Sequence, residues 1–450
     1  MRESRYNVWV ERDGSTYVYN GVSGGLLRMS PEEQAAVGRV LSEPGARDCS
    51  PQLLEKMAHG RMLVPDDADE IAMLAKRYAA SRHDTSRFGM TLVTSLGCNF
   101  ECPYCFEAKH PSIMSTEVVA AVLQVLDGQL PRISSFSASW FGGEPLVGKR
   151  PLLELSDEFI SRCDRADVEY SASITTNGYL LDEETCAQLR DRRVKSAQVG
   201  LDGPPEVHDR MRPLSNGKGT FWRIVANLHH AVDYFPIAVR VNVDSENVSR
   251  VEELLQILEQ EGLAGKLAVY PGQLVGVDDG IPAPSATYQP RCFSSPEFAK
   301  VELSFTELAA KYGFGDPSLP PPSGAPCTAV RANEVVVGSD GELYKCWDSV
   351  GNKREVVGSI FDYSNQNGRR RRWLEYDPFS DEECRSCIAL PVCMGGCAHH
   401  SMDVLQHENR CSTFRHAYRD QVIAFADHAE QRSVPVAIGP RGLAHDMDRH

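Results

Sequence analysis

Cysteine spacing restricts the fold of this chain more than any other feature of its sequence. Ten of the fourteen cysteines fall into two spaced groups, one within residues 98–105 and one within residues 327–411. The N-terminus lacks the apolar core of a secretion signal, so we expect the chain to stay in the cytoplasm, where thiols are kept reduced. Grouped thiols there favour metal binding or catalysis over disulfides. The other cysteines stand apart: Cys49, Cys163, Cys186 and Cys292.

The composition argues against two classes of partner. The chain has 47 basic and 62 acidic side chains and a formal net charge of −15, which gives no general attraction to a phosphate backbone. We therefore expect no nucleic-acid partner, and the arginine run at 369–372 is typical of a solvated loop. No stretch approaches the ~20 apolar residues that a bilayer span needs, so no membrane association is expected.

Residues 1–85 predict a small winged-helix-like domain. Alternating apolar and polar residues flank Asp13-Gly14, and this dipeptide favours the tight turn of a β-hairpin. A capping-box pattern at 30–33 starts a helix that runs to about Leu41. The remaining predicted elements are a helix from about Pro51 that ends at Gly60, a strand at 62–65 and a helix at 67–83.

Residues 86–275 alternate short β-like runs with helical stretches, which indicates βα units around a parallel sheet. Six such units predict an α/β fold, a partial (β/α)6 barrel of the TIM type. Active sites of such barrels lie at the C-terminal ends of the strands. The predicted strands are 90–95, 136–141, 170–175, 195–201, 237–243 and 266–271.

The rest of the chain divides into three predicted parts. Residues 276–325 are rich in proline and glycine around one helix at about 296–311, which is typical of a bridging segment. Residues 326–431 form a cysteine-rich domain that includes a hairpin with strands at 335–338 and 342–345 and ends in a helix at about 413–431. Residues 432–450 are expected to be a flexible tail.

The first cysteine group, Cys98-x3-Cys102-x2-Cys105, follows the first barrel strand. Three thiolates on one loop can hold three irons of a [4Fe-4S] cluster and leave the fourth iron open for a substrate. The alternative is a zinc site, which needs a fourth ligand such as His110.

This spacing, with Tyr104 before the last cysteine, resembles the defining motif of the radical S-adenosylmethionine (radical SAM) superfamily. The resemblance implies that the open iron binds the amino and carboxylate groups of S-adenosylmethionine. An electron from the cluster then breaks a carbon–sulfur bond and gives methionine and a 5'-deoxyadenosyl radical. The general base is not identified by the motifs.

Motifs at later strand ends agree with this resemblance. Gly142, Gly143 and Glu144 resemble the family motif that holds the methionine amino group, although the same residues also suit an ordinary β-turn. Thr175 and Asn177 resemble the strand end that contacts the ribose, and they too are common in turns.

Polar residues of the fourth and fifth units supply further candidates for cofactor binding. By similarity, either Arg212 or Arg240 pairs with the methionine carboxylate, a role that suits bidentate guanidinium geometry. Asn242 lies on the same strand as Arg240. An arginine at a strand end is also commonly part of a surface ion pair.

The second group contains seven cysteines, which is more than the four ligands of a zinc ribbon. Its spacing resembles the SPASM domain, which binds auxiliary [4Fe-4S] clusters, so the resemblance implies three clusters in all. One of the auxiliary clusters, the near one, has only three cysteines of this group as ligands. Its fourth ligand is either Cys292 or no protein side chain, and in the second case a substrate thiolate can bind the open iron. By the resemblance, Cys384, Cys387, Cys393 and Cys411 bind the distal cluster, and Cys327, Cys346 and Cys397 bind the near one.

Proteins of this type mostly mature ribosomally made peptides, so the resemblance implies an enzyme that crosslinks a precursor peptide through a thioether or carbon–carbon bond. The N-terminal domain resembles an element that captures the leader of that peptide as an added strand. A flavodoxin or ferredoxin is expected as reductant. The alternatives are a sulfatase maturase that forms formylglycine, and a non-catalytic iron–sulfur or zinc scaffold.

Overall fold

The computed structural model describes residues 1–42, 49–275, 283–288, 291–403 and 406–431. The predicted tail at 432–450 and the first residues of the predicted bridging segment lie outside these ranges.

The N-terminal region contains a three-stranded antiparallel sheet in the order β2-β3-β4 and a separate pair, β1-β5. The predicted hairpin is confirmed, with Asp13 and Gly14 at positive φ between β2 and β3. Strand β4 was not predicted, because Gly24-Gly25 obscures its alternation. The elements are β1 (Arg2–Glu3), β2 (Asn7–Arg12), β3 (Ser15–Asn20), β4 (Gly25–Met29), α1 (Pro31–Ser42), α2 (Pro51–His59), β5 (Leu63–Val64) and α3 (Glu70–Arg82).

The predicted start of α1 is confirmed by its capping bonds. The backbone N–H of Ser30 donates to the Glu33 carboxylate at 2.8 Å, and the Glu33 N–H donates to Ser30 Oγ at 3.2 Å. This reciprocal pair satisfies two donors that a helix start otherwise leaves without partners.

The barrel region has the six predicted parallel strands, in the order β11-β10-β9-β8-β7-β6. Its elements are β6 (Arg87–Ser95), α4 (Thr116–Gln129), β7 (Ser135–Gly142), α5 (Lys149–Arg165), β8 (Glu169–Thr176), α6 (Glu183–Asp191), β9 (Val194–Gly200), α7 (Pro205–Met211), α8 (Phe221–Ala231), β10 (Ile237–Val243), α9 (Val251–Gln260), β11 (Ala268–Gln273) and α10 (Ser295–Lys311).

The C-terminal region consists of a small β-structure and short helices. The arginine run at 369–372, predicted as a loop, lies in a helix (α11) whose start is capped by the side chain of Asn367. The elements are β12 (Glu334–Val337), β13 (Glu342–Tyr344), β14 (Gly358–Ser359), α11 (Gly368–Leu374), α12 (Glu382–Ser386), α13 (Leu390–Cys393), α14 (Ala398–Met402) and α15 (Phe414–Gln431).

The barrel sheet continues into the C-terminal region. Strand β12 pairs in parallel with β6, with Glu334 opposite Gly89 and Val337 opposite Leu92. The predicted β12-β13 hairpin therefore does not stand alone: it covers the β6 edge, whose backbone groups would otherwise remain unpaired. Cys346, two residues after the end of β13, therefore lies beside this extension of the barrel sheet.

The N-terminal sheet lies between two helical layers. One face, which includes Val18 and Met29, packs against α1 and α2. The other face, which includes Val8 and Tyr19, packs against α15 through Phe414 and its neighbours. The sheet is thus anchored to the cysteine-rich region by a buried apolar contact.

Within the described ranges, no helix is both long enough and apolar enough to cross a membrane.

Candidate functional site

The loop after β6 carries Cys98, Cys102 and Cys105 together with a half-buried cation, Lys109. Burial raises the pKa of the Cys98 thiol to about 11 and that of Cys105 to about 12, and the ammonium of Lys109 opposes both shifts. Burial would lower the pKa of Lys109, but the three thiols outweigh it and raise that pKa. Lys109 Nζ also donates to the Phe100 carbonyl at 2.8 Å. A cation among three thiols favours their thiolate forms, which are the metal-binding forms.

This donor set fits a [4Fe-4S] cluster held at three corners, because three soft ligands and a compensating charge come from one loop. Sequence reasoning missed Lys109, although its place four residues after Cys105 was visible. The zinc alternative needed His110, whose Nε2 lies 3.5 Å from Asp340 Oδ2. In the part of the chain that the structure describes, no three His, Cys, Asp or Glu side chains are placed to hold a single metal ion.

Gly142 and Gly143 let the end of β7 approach the cysteine loop closely. A Cβ on Gly142 would lie 2.4 Å from the Ser95 carbonyl oxygen, and one on Gly143 would lie 2.6 Å from that of Leu96. Gly142 also has a φ of +128°, which favours glycine. The Gly143 N–H donates to the Ser95 carbonyl at 3.1 Å. These glycines therefore position the loop.

Glu144 is fully buried and joins the ends of β7 and β8. Its carboxylate accepts from Thr176 Oγ1 at 2.8 Å, from the Asn177 N–H at 2.7 Å and from the Leu146 N–H at 2.9 Å. Burial raises the pKa of this carboxyl group, and the three hydrogen bonds oppose that shift. An ionised carboxylate has about four acceptor sites, so one is left for a ligand such as an ammonium group.

We expect Glu144→Gln to weaken S-adenosylmethionine binding by about 1–3 kcal/mol, because the amide lacks the negative charge and presents a donor where the Asn177 N–H needs an acceptor. Equilibrium binding to the anaerobic, reconstituted enzyme measures this. Thr176→Val is the matched control, since it removes one hydrogen bond and keeps the charge. An equal loss of S-adenosylmethionine affinity in the two variants would contradict a direct role of the carboxylate.

Asn177 links β8 to the cysteine loop. Its Nδ2 donates to Asn99 Oδ1 at 2.7 Å and lies 3.9 Å from Cys98 Sγ. Thr175, the preceding candidate, is on β8 opposite Gln198 of β9. The end of β8, the third predicted barrel strand, therefore lies next to Cys98.

The arginine candidates share one network with Tyr104. Arg212 Nη1 donates to the Tyr104 hydroxyl at 2.7 Å, and that hydroxyl donates to the buried carboxylate of Asp202. Asn242 Nδ2 lies 3.3 Å from the same hydroxyl, and Arg240 Nε donates to Asn242 Oδ1 at 3.0 Å. Asp202 had no predicted role, yet it holds the tyrosine of the cysteine motif.

Cys292 lies at the barrel opening. It packs with Tyr104, Tyr288 and Met211, and its Sγ is 3.8 Å from the Tyr288 carbonyl oxygen. The sequence left open whether this thiol is a cluster ligand, and its ligation stays a prediction.

The seven C-terminal cysteines interact as two sets. Burial raises the pKa of Cys327 to about 11, and the Cys397 thiol adds to this shift. Burial raises the pKa of Cys346 too, and the Cys397 and Cys327 thiols add to that shift. In the other set, Cys393 interacts with Cys411 and Cys387, and Cys384 interacts with Cys393 and Cys411. One set thus contains Cys327, Cys346 and Cys397 and the other contains Cys384, Cys387, Cys393 and Cys411, and their roles as cluster ligands stay predictions.

Two arginines that the sequence did not single out surround the second set. Arg415 Nη1 lies 3.1 Å from Cys411 Sγ, and both Arg415 and Arg410 donate to the Glu383 carboxylate. Hydrogen bonds to sulfur and nearby charge adjust the properties of a cluster held by such thiols.

The first C-terminal set adjoins the barrel opening. The Trp347 ring is tilted against Phe141 of β7 with centroids 6.2 Å apart. Burial, and to a lesser extent the Asp348 carboxylate, raises the pKa of Glu107 to about 7, so Asp348 and the cysteine loop are electrostatic neighbours. Trp347 and Asp348, which follow Cys346, therefore lie close to the end of β7 and to the cysteine loop.

Residues 92–258 match the model of the Radical SAM superfamily. The chain contains a radical SAM domain. It uses S-adenosylmethionine and a [4Fe-4S] cluster, for which the loop of Cys98, Cys102 and Cys105 is the fitting site.

Curated relatives of this radical SAM enzyme include anaerobic sulfatase-maturating enzymes. The cysteine-type enzyme of Clostridium novyi (strain NT) is 22% identical over 326 residues, which cover 67% of this chain and 85% of that protein. The serine-type enzyme of Klebsiella pneumoniae is 23% identical over 338 residues, covering 67% and 79%.

Solved structures share the fold. Native anSMEcpe with bound AdoMet and Cp18Cys peptide has a TM-score of 0.56 and 19% identity, and the match covers 77% of this chain and 98% of that one. Streptococcus suis SuiB bound to precursor peptide SuiA has a TM-score of 0.51 and 12% identity, with 92% and 99% covered. The predicted partial barrel is confirmed.

Proposed function

We propose that this radical SAM enzyme is a peptide maturase, which binds the leader of a ribosomally made precursor at its N-terminal domain (residues 1–85) and forms a thioether or carbon–carbon crosslink in that peptide. The observation that carries the proposal is a three-stranded sheet with an open edge, anchored to the cysteine-rich region. In support, the fold match to SuiB, whose solved complex contains its precursor peptide SuiA, spans 92% of this chain.

The register of the sheet identifies the groups available to a leader. Val18 of β3 pairs with Leu27 of β4 and with Trp9 of β2. In an antiparallel ladder, successive residues of an edge strand direct their backbone N–H and C=O groups alternately toward the neighbouring strand and away from the sheet. The two-residue turn makes Arg12 and Ser15 a hydrogen-bonded pair, so Leu26 and Arg28 direct their N–H and C=O groups away from β3.

Strand β4 is the better edge for an added strand. Helix α15 packs more extensively against β2 than against β4, and Arg12 Nε of β2 donates to Asp427 of this helix at 2.9 Å. No hydrogen bond to the outward backbone groups of Leu26 or Arg28 occurs within the described ranges. An extended leader on β4 gains main-chain hydrogen bonds, and its alternate side chains provide specificity.

The barrel supplies cofactor binding. When bound, the cluster supplies the electron that breaks a carbon–sulfur bond of S-adenosylmethionine and so generates the species that abstracts hydrogen from the peptide. Glu144 offers its remaining acceptor site to the methionine amino group. Arg212 is preferred over Arg240 for the carboxylate, because its positive charge acts on Cys102 in the cysteine loop.

The C-terminal region (residues 326–431) is proposed to be a SPASM domain with two auxiliary clusters, which gives three clusters in all. Four thiols close the distal cluster: Cys384, Cys387, Cys393 and Cys411. Cys327, Cys346 and Cys397 hold three corners of the near one, and a [4Fe-4S] cluster has four. The fourth corner is then open to a substrate thiolate, which suits thioether formation.

We expect Cys292→Ala to retain the full iron content of the reconstituted enzyme, because Cys292 packs in an apolar cluster with Tyr104 and Tyr288 and the proposed open site leaves the near cluster with three protein ligands. Iron and sulfide analysis measures this against the wild-type chain. Loss of about four irons would show that Cys292 is a ligand and would contradict the open site.

The second candidate function is sulfatase maturation, which is favoured by the names of the curated relatives. Such an enzyme acts on one cysteine or serine of a protein. It needs no leader-binding sheet, so the open β4 edge favours the peptide maturase.

Anaerobic co-expression with a candidate precursor peptide, followed by mass measurement, tests the proposal. A crosslink removes two hydrogens: one is abstracted by the deoxyadenosyl radical, and the other leaves as a proton with one electron passed to an acceptor. Loss of two hydrogens with two residues joined supports the proposal. Conversion of a sulfatase cysteine or serine to formylglycine, without a crosslinked peptide, supports the alternative.

A further inference from the structure

One surface of this acidic protein is basic. Residues 353–375 contain six basic and three acidic side chains, whereas the whole chain has a formal net charge of −15. We call this surface the α11 basic face, and it consists of Lys353, Arg354, Arg369, Arg370, Arg371 and Arg372.

The side chains of this face are presented to solvent. Arg369 is exposed, and the Arg371 side chain is 78% exposed while it pairs with Glu375. Arg370 Nη2 donates to the Ala332 carbonyl at 2.8 Å, which fixes α11 beside the segment that follows Cys327. An open cleft of about 600 Å³ runs along the helix. Three cations of the face pair with carboxylates: Lys353 with Glu342, Arg371 with Glu375 and Arg372 with Glu355. These carboxylates reduce the positive charge of the face, and a partner's acidic side chains meet it mainly at Arg369 and Arg370, beside the cleft.

A packed aromatic route leads inward from the same helix. Trp373 is 1% exposed, and the Arg372 guanidinium lies over its ring at 5.2 Å from the centroid. The His399 ring stacks with Trp373 at an interplanar angle of 8°, with centroids 6.0 Å apart. The backbone N–H groups of His400 and, to a smaller extent, His399 hydrogen-bond to the Cys397 thiol and lower its pKa, against the larger effect of burial.

The basic face and the buried aromatic route both begin at α11. Electron tunnelling weakens steeply with distance, so a short path of packed groups from surface to Cys397 favours electron entry here. A negatively charged carrier is repelled by most of this protein and attracted to this face, which orients its approach.

We propose that the α11 basic face docks a small acidic one-electron carrier protein, which reduces the near auxiliary cluster. The reduced carrier would lose one electron to the cluster that Cys327, Cys346 and Cys397 would hold, and that cluster would supply the electron needed at the loop of Cys98, Cys102 and Cys105. The inference rests on the proposed function for the assignment of Cys327, Cys346 and Cys397 to that cluster.

The test uses the reconstituted full-length enzyme and a flavodoxin as probe. Arg369→Glu/Arg371→Glu weakens flavodoxin binding at low salt by about tenfold or more, measured by calorimetry, and lowers flavodoxin-driven 5'-deoxyadenosine formation in parallel. The rate driven by dithionite, a small reductant that needs no docking face, stays at the wild-type value. Increasing ionic strength reduces the difference in binding between variant and wild type.

Arg150→Glu/Arg190→Glu is the matched control. It makes the same change of charge on the barrel helices, where these side chains are 71% and 53% exposed. Unchanged flavodoxin binding by the α11 variant, equal weakening in the control, or an equal loss of the dithionite-driven rate each overturns the docking proposal. Absence of a crosslinked peptide with either reductant counts against the peptide maturase alone, because flavodoxin binding is measured without peptide.

Discussion

Replacement of Cys98, Cys102 and Cys105 together by alanine is expected to abolish 5'-deoxyadenosine formation while iron remains in the C-terminal region. The three thiols lie on one loop after β6, where Cys102 affects the pKa of both Cys98 and Cys105, whereas the thiols that affect Cys327 and Cys393 are other C-terminal cysteines. Loss of one group therefore removes one cluster and leaves the other sites intact.

Two measurements check this result. Iron analysis should show a loss of about four irons per chain, and chromatography should show no 5'-deoxyadenosine above the level without enzyme. Cys163→Ala/Cys186→Ala is a suitable control, because both thiols are buried in barrel helices away from the loop. If the triple variant still cleaves S-adenosylmethionine, the cysteine loop is not the site of the radical chemistry.

Elements with a strong local signal were predictable. The six barrel strands and the capped start of α1 follow from periodicity and from Ser30 and Glu33, and they need no distant contacts. The cysteine groups were predictable for a different reason: their ligand spacing is set by the cluster.

Contacts between distant segments were not predictable. The pairing of β12 with β6 joins residues more than 240 positions apart, and nothing in Glu334 or Gly89 marks the partner. Lys109 and Arg415 escaped notice because a surface lysine or arginine has the same local pattern. Their roles depend on the thiols that folding brings beside them.

The docked N-terminal domain changes how leader binding should be tested. Deletion of residues 1–85 is expected to leave the clusters and uncoupled cofactor cleavage intact and to remove only peptide modification. The structure adds a complication: Leu74 and Tyr78 of α3 are buried in the central core, and Arg82 donates to the Tyr376 carbonyl at 2.9 Å. A deletion would remove these contacts and expose the apolar surface that they cover. A single change at the sheet edge therefore separates leader binding from folding more clearly.

Arg28→Pro is that change. Proline removes an N–H that points away from β3, and edge strands tolerate it because the internal ladder is unaffected. A captured leader loses about one hydrogen bond and also meets the proline ring, so we expect the KM for a leader-bearing peptide to rise about tenfold. Formation of 5'-deoxyadenosine without peptide should not change.

Two variants isolate the cause. Arg28→Ala removes the side chain and its 3.4 Å contact with Glu430 but keeps the N–H, so its KM should stay near the wild-type value. Glu11→Pro makes the same backbone change on the opposite edge, since Glu11 of β2 also points its N–H away from β3. A rise in KM for Glu11→Pro but not for Arg28→Pro would place the leader on β2. Unchanged KM in both would mean that the sheet binds no strand, which would leave the N-terminal domain a structural role and return sulfatase maturation to the stronger position.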